Sequence, residues 1–199
     1  MGDGLTFDPA THTYYRAGIK VPGVTEVLES QGLVQLHGPP AALRAARDLG
    51  TAVHKATMED DQGRLDDESV HPSVWPYLYA WRAFREEWGF EPEEIEASVY
   101  HQTYNYAGTL DRIGRSRAVK SGRCLLDIKS GAKRKATGPQ TAAYLHARFP
   151  KPGDRKKYQR FGVYLHDDAT YEAVPYDDPN DWYAFAAALT LYNWKGKNL

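Results

Sequence analysis

Leu125-Leu126-Asp127-Ile128-Lys129, followed by Ser130-Gly131, is the stretch on which the reading of this chain turns. Successive side chains of an extended strand point to opposite faces. Asp127 and Lys129 therefore share one face, and Ile128 points into a core. A carboxylate and an ammonium side by side at a strand end can hold a metal and handle a phosphate.

Outward from that strand the pattern is mixed. Residues 95–103 and 107–114 read as strands before it, and 136–149 as a helix after it. Strands over 159–166 and 170–175 follow, then a helix from Asp178-Pro179-Asn180-Asp181 to about Asn193. Upstream, residues 5–28 read as a small β-hairpin, with Thr25 a candidate cap for a short helix from Glu26. Gly38-Pro39-Pro40 opens an Ala-rich helix to about Met58. Glu59 to Glu68 reads as an acidic loop, and Pro72 to Trp88 as an aromatic-spaced helix stopped by Gly89. The expected fold class is α/β, a mixed central sheet flanked by helices with a small N-terminal β-hairpin. One domain over 1–199 is expected, with 1–36 as leader and 37–199 as core.

Composition narrows the class. The 199 residues are 42% hydrophobic and 26% charged, which suits a soluble domain with a real core. No apolar run is long enough to span a bilayer. Met1-Gly2-Asp3-Gly4 has neither a basic nor an apolar signal region, so no signal peptide is expected. Cys124 is the single cysteine, which excludes an intramolecular disulfide and a cluster held by four cysteines of one chain. A cytoplasmic location is expected. The net charge of -1 argues against a nucleic-acid coat protein. Yet 15 of the 25 basic residues fall between Arg112 and Arg160, and 12 of the 26 acids between Met58 and Glu96. Such asymmetry suggests a basic face meeting a polyanion, although charge runs more often mark solvated faces.

Asp111 gives Asp127 a partner. An antiparallel hairpin over 107–129 with its turn near Val119 puts the two aspartates directly across from each other, Cβ atoms about 4.5–5.5 Å apart. Bare carboxylates there repel; a divalent cation reverses that sign. Oxygen-rich sites of this kind suit Mg²⁺ or Mn²⁺, one or two ions. Such an ion acidifies a water and neutralises charge on a phosphate, and Lys129 adds a positive point charge beside it. Glu96 is a candidate further ligand, or else a solvent-facing acid. His54 sits with Gly50 in the first long helix, Arg47 seven residues before it on the same face. Gly inside a helix costs about 1 kcal/mol relative to Ala, which suggests close packing or ligand approach. Gln140 and Tyr144 project from one helical face. Lys133, Arg134 and Lys135 precede that helix, and Lys156 and Lys157 follow it; phosphate neutralisation explains them economically.

The set Gly50-Thr51-x-x-His54, Gly108-Thr109-Leu110-Asp111, Asp127-Ile128-Lys129 and Gln140-x-x-x-Tyr144 resembles the PD-(D/E)XK nuclease superfamily, in its RecB-like exonuclease branch. Phe7 through His12-x-Tyr14 and Val21-Pro22-Gly23-Val24-Thr25 look like the leader of phage-encoded members. Each motif alone is weak; their order and spacing are fairly specific. The resemblance implies a restriction-endonuclease-like fold and metal-dependent cleavage of DNA phosphodiesters in recombination or DNA processing. It implies Asp111 and Asp127 as metal ligands, Lys129 as the catalytic lysine, and His54 near or on the metal. It also implies that Gln140 and Tyr144 line the site, with the Ile128 carbonyl and Glu96 as further candidate metal ligands. Leu110 stands where the nominal proline would be. A phage member would work in the host cytoplasm, on DNA, with a single-strand annealing or other recombination protein as a possible partner. The competing readings are a structure-selective endonuclease and a catalytically silent DNA-binding accessory protein.

Overall fold

The computed structural model describes residues 4–34 and 38–198. Met1 to Asp3, and the boundary drawn between leader and core at residue 36, lie outside the described residues. Strands β1 (Leu5–Asp8), β2 (Thr13–Arg16) and β3 (Ile19–Val21) form a small antiparallel sheet. The expected hairpin gains a third strand because Ala17 and Gly18, both at positive φ, turn the chain back. Helix α1 (Val24–Ser30) starts at Gly23, whose N–H donates to the Glu26 carboxylate at 3.2 Å. Thr25, expected as the cap, lies inside the first turn instead, because Glu26 reaches back to satisfy the orphan donor. The Ala107 N–H donates to the Pro22 carbonyl at 2.9 Å and ties this leader to the core.

Helix α2 (Pro40–Asp61) and helix α3 (Trp75–Trp88) precede a five-stranded sheet. Its strands are β4 (Phe90–His101), β5 (Tyr106–Ser116), β6 (Arg123–Lys129), β7 (Gln159–Leu165) and β8 (Tyr171–Pro175), in that spatial order. All neighbours are antiparallel except β6 and β7. That parallel pair needs a crossover, supplied by α4 (Thr137–Arg148) and the short α5 (Pro152–Arg155). Helix α6 (Asn180–Asn198) closes the fold. Leu125 and Leu126 show why there are two helical layers. Leu125 packs with Val27, Leu28, Ala143 and Phe185 from α1, α4 and α6. Leu126 and Ile128 pack with Val53, Trp81 and Phe84 from α2 and α3.

The β5–β6 register has the expected sense, with Arg112 opposite Leu126 and Ile113 opposite Leu125. The backbone ladder ends there, one step short of Asp111 and Asp127. On the other side Ile95 pairs with Arg112 and Ala97 with Leu110, while Glu96 is skipped and sits at φ 47°. A non-glycine residue in that conformation costs about 1–3 kcal/mol and persists only where its surroundings impose it.

Two expectations change. Residues 59–61 belong to α2 rather than to an acidic loop, and the Asp61 side chain is fully buried. The charge asymmetry is partly paired within the chain. Arg112 pairs with Asp61 and Glu96, Arg115 and Arg123 with Glu93, and Arg148 with Glu94. Antiparallel β4 and β5 set Glu93 and Glu96 beside Arg115 and Arg112, so part of the asymmetry is neutralised within the chain.

Candidate active site

Five elements converge at the end of the β5–β6 ladder. Helix α2 delivers His54, β4 Glu96, β5 Asp111, β6 Asp127 and Lys129, and α4 Gln140 and Tyr144. His54 Nδ1 stands 3.5 Å from Glu96 Oε1 and 3.8 Å from Asp111 Oδ1. One ligand atom from each of the three lies within 4.8 Å of the others. The left-handed backbone at Glu96 accompanies this convergence. Glu96, expected either as a further ligand or as a solvent-facing acid, is thus a full member of the cluster.

Asp111 is held by backbone as well. The Ile128 N–H donates to its Oδ2 at 2.6 Å. Burial pushes the Asp111 carboxyl up to about 7, and the neighbouring Asp127 and Glu96 push the same way against His54. At His54 burial opposes charge, but Asp111 and Glu96 overcome it and raise the imidazole above its ordinary value. At Glu96 burial favours the neutral acid, but His54 and Arg112 outweigh it and lower the pKa.

Arg112 is the residue the sequence did not disclose. It is fully buried, and its guanidinium donates to Asp61 Oδ2 at 2.6 Å, Glu96 Oε1 at 2.9 Å, the Asp111 carbonyl at 2.7 Å and Thr57 Oγ1 at 3.3 Å. Asp61 is bracketed in turn by the Trp81 indole N–H at 2.9 Å and Arg85 at 2.9 Å. A buried charge is tolerable only when paired and hydrogen-bonded, and Arg112 meets that condition while orienting one member of the cluster. One signal was available: Thr57 and Asp61 lie three and seven residues after His54, on its face of α2.

Lys129 and Asp127 share a face as expected, with Nζ 2.7 Å from Oδ2. Burial would depress the Lys129 pKa, but Asp127 and Asp111 raise it above the ordinary value. Lys129 Nζ also donates to Gln140 Oε1 at 3.4 Å, and Gln140 Nε2 to the Tyr144 hydroxyl at 3.0 Å. The Tyr144 ring lies over Gly108, where a Cβ would stand 2.5 Å from it. Oδ1 of the buried Asp127 carboxylate accepts no hydrogen bond from the described residues, while Oδ2 is taken by the Lys129 ammonium. An orphaned acceptor of this kind calls for an ion or water. With the His54, Glu96 and Asp111 donors nearby, the residues fit a divalent cation that prefers oxygen and imidazole ligands.

A cleft of about 390 Å³ opens beside Lys129 and His54, between α1, α2 and the β6–α4 connection. Arg47, Gly50, Ser130, Arg134 and Gln140 are on its wall, with Glu29 as an acid. A Cβ at Gly50 would meet the Ser130 hydroxyl at 3.5 Å, ordinary contact, so close packing does not explain that glycine. It lies on the wall of the cleft.

The remaining expected residues scatter. Ile128 points into the core and its backbone lies at the site. Lys133 and Lys135 are exposed, and Lys133 pairs with Glu172 at 2.7 Å. Lys156 and Lys157 do not join the site. They precede β7, whose Gln159 pairs with Cys124 at the start of β6, so they sit at the far end of the sheet from Lys129. That is about 16 Å along the strands. Arg160 is likewise spent internally, on Gly138, Asp178 and Asp181. Tyr14 was missed as a neighbour of the site; its hydroxyl lies 2.9 Å from Thr109 Oγ1, two residues from Asp111. No protein-family model and no curated protein matches the chain.

Proposed function

We propose that the protein is a Mg²⁺- or Mn²⁺-dependent deoxyribonuclease of the PD-(D/E)XK, RecB-like kind, acting as an exonuclease. The observation that carries the reading is the convergence of His54, Glu96 and Asp111 within ligand range beside the Asp127–Lys129 strand end. His54, Glu96 and Asp111 would hold the cation, with Asp127 beside them. When bound, a divalent cation acidifies a water and neutralises charge developing on a phosphate.

The chain's own groups do the rest. Lys129, steadied by Asp127 and Gln140, presents a fixed positive charge where a phosphate oxygen gains charge in the transition state. Tyr144 holds Gln140 and thereby Lys129. Arg112 keeps Glu96 aimed into the cluster. Arg47 and Arg134 on the cleft would contact backbone phosphates, which confer affinity without sequence preference.

The test is digestion of 5′- and 3′-labelled single- and double-stranded DNA with Mg²⁺ or Mn²⁺, with Lys129→Ala as control. Cation-dependent release of nucleotides that the variant loses is expected. Undiminished activity in Lys129→Ala would sink the mechanism. Cutting of closed circular DNA would favour the endonuclease reading. Binding without cleavage would favour an accessory role.

A further inference from the structure

Helix α6 breaks the rule for surface helices, which carry a polar outer face. Its inner side packs Phe185, Ala188 and Leu189 into the core. Its outer side carries Tyr183 at 68%, Leu191 at 51% and Trp194 at 57% exposure, with Ala184 and Ala187 between them. Positions 183, 187, 191 and 194 follow helical spacing and form one stripe. From Trp182 to Asn193 the helix has no charged residue, and Thr190 spends its hydroxyl on the Ala186 carbonyl. A helix apolar all round is normally covered on all sides, and a contiguous exposed apolar patch marks an interaction site.

The charges at its ends indicate what covers it. Asp177 and Asp178 are exposed at the N-terminal end, Lys195 and Lys197 at the C-terminal end. We infer that α6 is a homodimer interface, packing antiparallel against α6 of a second copy about a two-fold axis. In an isologous contact the same patch serves both subunits. Antiparallel pairing sets Tyr183 against Trp194 of the second copy, and the small residues Ala187 and Thr190 meet at the crossing, letting the helices approach to about 8–10 Å. The same geometry brings each acidic end to the basic end of the other copy. A membrane surface suits the stripe less, because interfacial helices flank an apolar face with a basic polar one; here the opposite face is core. This inference does not depend on the nuclease reading.

The test is sedimentation of the full chain from low micromolar to several hundred micromolar. A reversible monomer–dimer equilibrium that weakens with salt is expected. Trp194→Glu and Leu191→Glu should each abolish the dimer while leaving thermal unfolding of the monomer in place. Asp177→Lys and Lys197→Glu should each weaken self-association several-fold. Mixing those two variants should restore it, since both cross-contacts are then attractive. A monomer at every concentration would overturn the inference. So would a dimer that survives Trp194→Glu, or a mixture no tighter than its components.

Discussion

The Ile128 N–H donates to Asp111 Oδ2 at 2.6 Å, where the β5–β6 backbone ladder has already ended at Arg112 and Leu126. A side-chain acceptor replaces the next backbone one. The exchange leaves Asp111 Oδ1 facing His54 at 3.8 Å, so the strand pair delivers a carboxylate in a fixed orientation.

Asp111→Asn should keep the amide acceptor for Ile128 and remove a carboxylate whose ionisation burial opposes. Without added cation at about pH 8, its melting temperature should equal or exceed that of the wild type by a few degrees. The rise in melting temperature with Mn²⁺ should disappear. A cation-induced shift as large as in the wild type would remove Asp111 from the ligand set.

Arg112 is expected to act on the cation through Glu96. Arg112→Gln and Glu96→Gln should each weaken Mn²⁺ binding by about tenfold or more, as loss of a ligand or its supporting partner does. In the Glu96→Gln background, Arg112→Gln should cost little further. Calorimetric titration of the four proteins reads this directly. Equal losses in both backgrounds would mean that Arg112 does not act through Glu96.

Gly108→Ala would place a Cβ 2.5 Å from the Tyr144 ring and 3.1 Å from Val24. Overpacking of this kind costs about 1–3 kcal/mol. Urea unfolding should show that loss, and displacement of Tyr144 should loosen Gln140 and with it Lys129. A variant as stable and as active as the wild type would count against the Tyr144 contact.

His146 stacks on Trp182, ring centroids 3.8 Å apart, and burial, with Arg155 nearby, pushes its pKa down to about 3. The unfolded imidazole titrates near 6.5. Between those values the unfolded chain binds more protons, so this contribution to stability is complete above about 6.5 and lost as pH falls toward 3. His146→Phe keeps a ring there and removes the proton. Its urea midpoint should fall less than that of the wild type between about pH 7.5 and pH 4.5. Parallel pH profiles would refute the assignment.

Much of the scaffold could be read residue by residue. The strand over 123–129 matches its expected span, and α4, β7 and β8 lie within about two residues of expectation, because apolar periodicity and Gly or Pro punctuation act locally. The shared face of Asp127 and Lys129 follows from the two-residue period of a strand. Asp111 and Asp127 were legible as neighbours because a short hairpin fixes its own register. Gln140 and Tyr144, four apart on a helix, could be paired without knowing what they face.

The partners of Arg112 could not be read this way. Its side chain is buried between Asp61, 51 residues away, and Glu96, 16 residues away. Strand alternation puts it on the opposite face from Arg115, which is exposed and pairs with Glu93, but does not say which face is covered. The same holds for Lys156 and Lys157, which follow α4 in sequence yet sit at the other end of the sheet because β7 runs parallel to β6. Local sequence determined which residues share a strand face or a helix face, since backbone geometry alone sets those periods. Which faces meet, and therefore which charges are buried, paired or free to meet a ligand, was decided only when the strands were ordered in the tertiary structure.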